Sequence, residues 1–270
     1  MKNIISFLFI TITILALGFF ANKTYQNAIE YEKISTQIAS ENMIAKKLDE
    51  KPQNLLGSFL GALLGQKPAQ KKEKINLKDK KEDFKNKTEN NLFIFSSILF
   101  ASLFLYFILS KVLFLLYLNL ASLLSLGFGI FTPIFSILIQ KDLPIVGYVV
   151  LDFDSNTLLS SIEKLFSQEN YFVGGIIFLF SIMFPLIKIL IMSLALFVKN
   201  ATLIKVTKIS SILSKWSMLD VFVLAIFLVY LSTSKSNTIV SEIQVGFYMF
   251  FSYVILALIS STIYNLGIKK

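Results

Sequence analysis

Hydrophobic residues in this chain are concentrated in long continuous runs, which are separated by shorter polar segments. The runs cover residues 4–21, 92–110, 112–138, 172–198, 216–232 and 246–266. A helix of about 20 apolar residues is long enough to cross the hydrocarbon core of a bilayer. The pattern therefore predicts an all-α membrane protein, a polytopic helical bundle of about six spans.

The first apolar run has a length that fits either a membrane span or a signal sequence. Ala16 and Gly18 form a small-x-small pattern, but the run is long for a signal core and lacks a clean Ala-x-Ala site. We interpret residues 1–21 as an uncleaved membrane anchor.

Residues 22–91 change to a charged and polar composition. Apolar residues recur with a loose helical period over 25–50, which predicts a helix that ends before Pro52. The apolar residues 55–65 are too few to span and are typical of an interfacial segment. The lysine-rich residues 66–90 are predicted to form a solvated linker.

The remaining residues, 92–270, form the predicted membrane module. A break at Ser110 and Lys111 divides its first apolar stretch, so that the next span covers 112–138. Gly129 and Pro133 in the far half of that span indicate close helix packing and a kink.

Two segments within the polar loops of the module have strand-like composition. Residues 145–153 lie in the loop 140–170, ahead of a predicted helix over 155–166, and residues 238–245 precede the last span. We expect the two strands to pair with each other as a small periplasmic sheet, supported by that helix.

Lysine distribution predicts the orientation in the membrane. The loop 199–215 carries four lysines and no acid, the chain ends at Lys269 and Lys270, and the loop 140–170 is net acidic. Because cytoplasmic loops are enriched in Lys and Arg, both termini should be cytoplasmic and residues 22–91 periplasmic. If residues 66–90 were cytoplasmic instead, one span before the module would be miscounted.

The composition excludes several kinds of chemistry. The net charge is +9, all of the basic residues are lysine, and the chain has no cysteine and no histidine. Disulfides, haem ligation and ordinary zinc sites need thiolate or imidazole ligands. No nucleophile–base pair or phosphate-binding glycine loop occurs. We expect no enzyme activity, no cofactor and no nucleic-acid partner.

Two charged residues fall inside predicted spans. Lys188 lies about 16 Å from the loop at Lys199, and Asp220 about 7 Å into the next span. A charge at the bilayer centre costs about 2.5–3.5 kcal/mol on insertion scales, so such a residue usually faces the bundle interior or a wet cavity and has a partner. The pair fits a structural ion pair and a polar lining for head groups or ions equally well. The helix dipole could also stabilise Asp220 alone.

Two further residues near these charges have ordinary interpretations. Trp216 is typical of an aromatic belt at the membrane interface. Pro185, one turn before Lys188, kinks a helix and also leaves a backbone carbonyl without its helical donor.

Three motifs occur in order along the module: Thr157-Leu158-Leu159-x-x-Ile162, Phe184-Pro185-Leu186-Ile187-Lys188 and Trp216-Ser217-Met218-Leu219-Asp220-Val221-Phe222. Over residues 113–264 the chain resembles the paraquat-inducible protein A family. The larger members have zinc ribbons and often two membrane modules, whereas this chain has one module, of four spans, and no ribbon. The family's asparagine before Pro133 is replaced by Gly129 or Ile130.

The resemblance implies an inner-membrane subunit of a phospholipid-trafficking system in a Gram-negative envelope. Its partners would be phospholipid and a periplasmic protein of the mammalian-cell-entry domain type. The residues that it places at the lipid or transport path are Pro185, Lys188, Trp216, Ser217, Met218 and Asp220. The competing classes are a small-solute or proton-coupled transporter that uses Lys188 and Asp220, and a membrane scaffold without transport.

Overall fold

The structure is a computed structural model and describes residues 2–49, 68–143, 147–197 and 239–268. The helices in these ranges are α1 (Lys2–Asp49), α2 (Pro68–Ser102), α3 (Lys111–Phe131), α4 (Leu158–Ser167), α5 (Tyr171–Phe178), α6 (Phe184–Phe197) and α7 (Val245–Ile268). The strands are β1 (Phe135–Leu143), β2 (Gly147–Asn156) and β3 (Ile239–Ile243).

Within the described ranges, five helical segments are long and apolar enough to cross a membrane. The all-α membrane class is thereby confirmed. The predicted break at Ser110 is confirmed too: a 3-10 turn, Leu103–Phe107, ends the second span, and the Ser110 side chain accepts the Leu113 N–H at the start of α3. The predicted span 216–232 lies outside the described residues.

Helix α3 is the central helix of the bundle and packs antiparallel to α7. Gly129 faces the backbone of Phe250, and ten residues further along both helices Asn119 bonds to Ser260. A Cβ added at Gly129 would lie 2.8 Å from the Phe250 nitrogen. Glycine is therefore what permits this close approach, as expected for small residues between membrane helices.

The span predicted over 112–138 ends earlier, at Phe131. Thr132 is extended, as the residue before a proline usually is, and Pro133 therefore lies beyond the helix end instead of kinking it. The chain then continues as β1, so residues 135–138 belong to a strand and not to the span.

The predicted small sheet exists, but its predicted pairing is wrong. The strand order is β2-β1-β3, and both partners are antiparallel to β1. Phe135 is opposite Asn156 on one side and Ile243 on the other. The sequence prediction placed the first residues of β1 in the preceding span and the last ones in the loop. It therefore did not identify the central strand.

The predicted linker over 66–90 is largely helical, which corrects the sequence prediction. Helix α2 packs antiparallel to α1, with four residues on its inner face: Leu77, Lys81, Phe84 and Thr88. Their 4-3-4 spacing is that of an amphipathic helix. The many lysines around this stripe favoured the prediction of a solvated linker, although Lys and Glu are good helix formers.

The outer part of the α1–α2 hairpin is attached to the sheet. Tyr31 and Phe153 meet edge to face with ring centroids 6.2 Å apart, and the Lys81 ammonium lies 5.2 Å from the Tyr31 ring and 5.7 Å from the Phe153 ring. Helix α1 therefore supplies the support for the sheet that the sequence predicted from the helix after β2. That helix, α4, is joined to β2 by Lys164, which donates to Asp154 and Asn156.

The sheet, the outer hairpin and α4 lie at one end of the bundle, here called the sheet end. Leu115, Met192, Ala195 and Tyr264 form a buried cluster at the opposite end. The described parts of 22–91 and 140–170 are thus on one side, as the predicted topology requires.

We expect Gly129→Ala to lower the free energy of unfolding by about 1–3 kcal/mol, because its Cβ would overlap the Phe250 backbone. Gly127→Ala is the matched control: it lies in the same helix, and an added Cβ there meets no atom within 4 Å. Reversible unfolding of both variants in mixed micelles measures the difference. Equal stability of the two variants would contradict the proposed close packing.

Candidate intramembrane site

The span that contains the Phe-Pro-Leu-Ile-Lys motif is interrupted by a π-helical turn, Leu179–Met183. The Phe184 N–H donates to the Leu179 carbonyl, five residues back. Pro185 follows at once and has no N–H to offer the Ser181 carbonyl. Wide turns of this kind inside α-helices are frequent at functional sites.

Lys188 lies one turn beyond Pro185, and both side chains are buried. Only 2% of the Lys188 surface is exposed. The residue is about 12 Å from the end of the candidate span Tyr171–Leu196. The sequence-based expectation that Lys188 is turned into the protein, away from lipid, is therefore met by its burial.

A second polar layer joins three helices in the half of the bundle that lies away from the sheet end. Asn119 of α3 donates to the Ser193 hydroxyl of α6 at 3.3 Å and accepts from the Ser260 hydroxyl of α7 at 2.8 Å. Asn119 and Ser260 are almost completely buried. Hydrogen bonds of this kind between helices stabilise association where lipid offers no polar partner.

The Asn119 layer and Lys188 are close in depth, since Ser193 lies about 7.5 Å along the α6 axis from Lys188. Two more hydroxyls of α3, Ser122 and Ser125, are buried and have no hydrogen-bond partner among the described residues. Together these groups give the centre of the bundle a polar character, and side chains of these kinds form hydrogen bonds with water, ions and polar ligands.

Of the six residues predicted at the site, the structure describes two, Pro185 and Lys188, and places them on one helix. Trp216, Ser217, Met218 and Asp220 lie outside the described residues. The coupling between Lys188 and Asp220 therefore stays a prediction.

Sequence reasoning missed Asn119. The available signal was a lone asparagine in the middle of the apolar residues 112–138, since an amide inside a span needs a partner on another helix.

Among the described residues no group of three or more acidic side chains could hold a metal ion, and the chain has neither cysteine nor histidine. The potential chemistry of the described part of the site is therefore that of a buried ammonium, an amide and several hydroxyls. Such groups bind anions and polar ligands by charge and hydrogen bonds.

A family model described as "Paraquat-inducible protein A" matches residues 114–266, more than half of the chain. The match coincides with the region over which the motifs indicate the resemblance. Searches of curated proteins and of solved structures returned no match. Helices α1 and α2 both precede the matched region.

We predict that Asn119 and Ser260 are energetically coupled. In a double-mutant cycle with Asn119→Leu and Ser260→Ala, the coupling should be about 0.6 kcal/mol, the mean for hydrogen bonds between membrane helices. Unfolding in mixed micelles provides the measurement.

The control for this cycle pairs Asn119→Leu with Ser252→Ala, because the Ser252 hydroxyl bonds to Tyr248 within its own helix. That cycle should show no coupling. Additive effects of Asn119→Leu and Ser260→Ala would rule out the bond between α3 and α7.

Proposed function

The chain belongs to the paraquat-inducible protein A family, and we propose from this that it is the inner-membrane subunit of an envelope phospholipid-trafficking system. In this function it hands lipid to, or receives lipid from, a periplasmic protein of the mammalian-cell-entry domain type. Lys188 and Asp220 line the path of the head group, with Pro185, Trp216, Ser217 and Met218 beside them.

The observation that carries the proposal is the burial of Lys188 in an apolar span. A buried charge in the membrane is costly, and such residues mark the paths of ions and polar substrates. The ammonium group suits a phosphate, and the π-helical turn that ends five residues before Lys188 is of a kind frequent at functional sites. The hydroxyls of Ser122 and Ser125 add hydrogen-bonding capacity one helix away.

The sheet end supports the second half of the proposal, the contact with a partner. It combines the three-stranded sheet, α4 and the outer half of the α1–α2 hairpin, which projects well beyond the apolar part of α1. In the orientation that the lysines predict, this end is periplasmic and both termini are cytoplasmic. A periplasmic partner would meet this surface.

The orientation can be tested with cysteine labelling, since the chain has no cysteine of its own. Glu163 is exposed on α4, so Glu163→Cys should react with a membrane-impermeant maleimide in cells whose outer membrane is permeabilised. Thr207→Cys, in the loop predicted to be cytoplasmic, is the control and should react only after lysis. The reverse pattern would contradict the orientation.

The role of the two charges can be tested with Lys188→Met, Asp220→Asn and the double variant. We expect each single variant to slow the exchange of pulse-labelled phospholipid between the two membranes by at least about tenfold, which corresponds to roughly 1.4 kcal/mol. If the residues pair, the double variant should recover stability but not exchange.

Lys111→Met is the control for these variants, because Lys111 is an exposed lysine at the start of a span. It should leave lipid exchange unchanged. Normal exchange in all three test variants would remove Lys188 and Asp220 from the path. Loss of a pH-dependent solute uptake in Asp220→Asn, with normal lipid exchange, would favour the proton-coupled transporter.

A further inference from the structure

A groove runs between α1 and α3 near the sheet end of the bundle. Its volume is about 360 Å³, within the range of small-molecule pockets. One wall belongs to α1, which precedes the matched family region, and the other belongs to α3, which lies within it. The groove is therefore separate from the site around Lys188.

The groove is apolar along α3 and polar on its α1 wall, at the level where the apolar part of α1 ends. Leu123, Gly127 and Phe131 follow one another on the same face of α3, and Leu123 and Phe131 are 39% and 57% exposed. Asn22 and Tyr25 border the groove where the apolar part of α1 ends. Tyrosine at this level is typical of the membrane interface.

Gly127 creates the free space in this groove. A Cβ added there would meet no atom within 4 Å, whereas the helices are close just beneath, where a Cβ on Gly18 would lie 3.5 Å from a Leu124 methyl carbon. The ring of Tyr25 contacts Phe128 with centroids 6.3 Å apart. The two helices thus close the floor of the groove and leave its lipid-facing side open.

We propose that this groove binds one acyl chain of a membrane phospholipid, with the head group at Asn22 and Tyr25. Both walls belong to membrane-spanning helices, so among the described residues the open side of the groove faces lipid, and the groove combines an apolar wall on α3 with polar groups on α1. The bound lipid joins α1 to the family module. This binding does not require that the protein transports lipid.

Other occupants fit the groove less well. From Tyr25, α1 continues to Asp49, about 36 Å along its axis, so residues 50–67, which connect α1 to α2, would have to return over that distance. A second copy of the chain would have to displace the bilayer lipid from the open side before it reached the groove. A phospholipid of the surrounding bilayer needs neither.

The test uses the full chain in nanodiscs of phosphatidylethanolamine and phosphatidylglycerol that contain a phospholipid with a photoactivatable diazirine on one acyl chain. After irradiation, cross-linked peptides are identified by mass spectrometry. We expect cross-links concentrated on residues 123–131 and 22–25. Gly127→Leu extends a side chain into the groove from a position where an added Cβ meets no atom within 4 Å. It should reduce these cross-links by at least about fivefold, which corresponds to roughly 1 kcal/mol of binding free energy.

The control is Gly175→Leu, because Gly175 is another helical glycine whose added Cβ would meet no atom within 4 Å. It should leave the groove cross-links unchanged, and both variants should keep the thermal stability of the wild type. Equal cross-linking of Gly127→Leu and wild type would overturn the proposal. So would cross-links spread evenly over exposed residues such as Phe172 and Leu190, which indicate only surrounding lipid.

Two further outcomes distinguish this proposal from the binding of a second copy and from the proposed transport function. If Gly127→Leu converts a dimer to a monomer and the wild type shows no groove cross-link, the occupant is a second copy and the proposal is wrong. Groove cross-links in a protein that fails to exchange phospholipid between membranes would uphold the bound lipid and refute only the proposed transport function.

Discussion

The close antiparallel contact between α3 and α7 determines most of the architecture. Gly129 faces Phe250, Asn119 bonds to Ser260, and Leu115 packs with Tyr264, so the two helices keep one register over more than three turns. At the sheet end of the bundle the pairing continues from the two helices into strands β1 and β3, where Phe135 is opposite Ile243. Gly246 is placed against the carbonyls of Thr132 and Pro133, where no side chain would fit. One helix contact therefore positions the sheet and the Asn119 layer at the same time.

The membrane explains why that contact carries polar groups. Lipid offers Asn119 no hydrogen-bond partner, so the amide is satisfied only if α6 and α7 bring Ser193 and Ser260 to it. The same bundle buries Lys188 in the next layer of α6. A polar centre surrounded by apolar helices costs free energy, and this cost is the physical ground for assigning a function to it.

The hairpin of α1 and α2 is built on different principles from the family module. Its membrane part packs through apolar residues such as Leu17 and Phe95, whereas its outer part is held to the sheet by Lys81 between the rings of Tyr31 and Phe153. The Lys81 ammonium lies near both rings, so one side chain adds cation–π attraction to the packing of the aromatic pair. This arrangement gives the family module an attached outer extension and creates the groove along α3.

The sequence by itself determined the membrane class, the break at Ser110 and the family, because apolar length, helix capping and motif spacing are local properties of the chain. It also indicated that Lys188 would be buried, since a charge in an apolar span has few other choices. Only the tertiary structure decided that β1 is the central strand, that the lysine-rich residues 68–90 are helical, and that Asn119 joins three helices. Each of these depends on contacts between residues far apart in the chain, and contacts with a distant partner override what local composition favours.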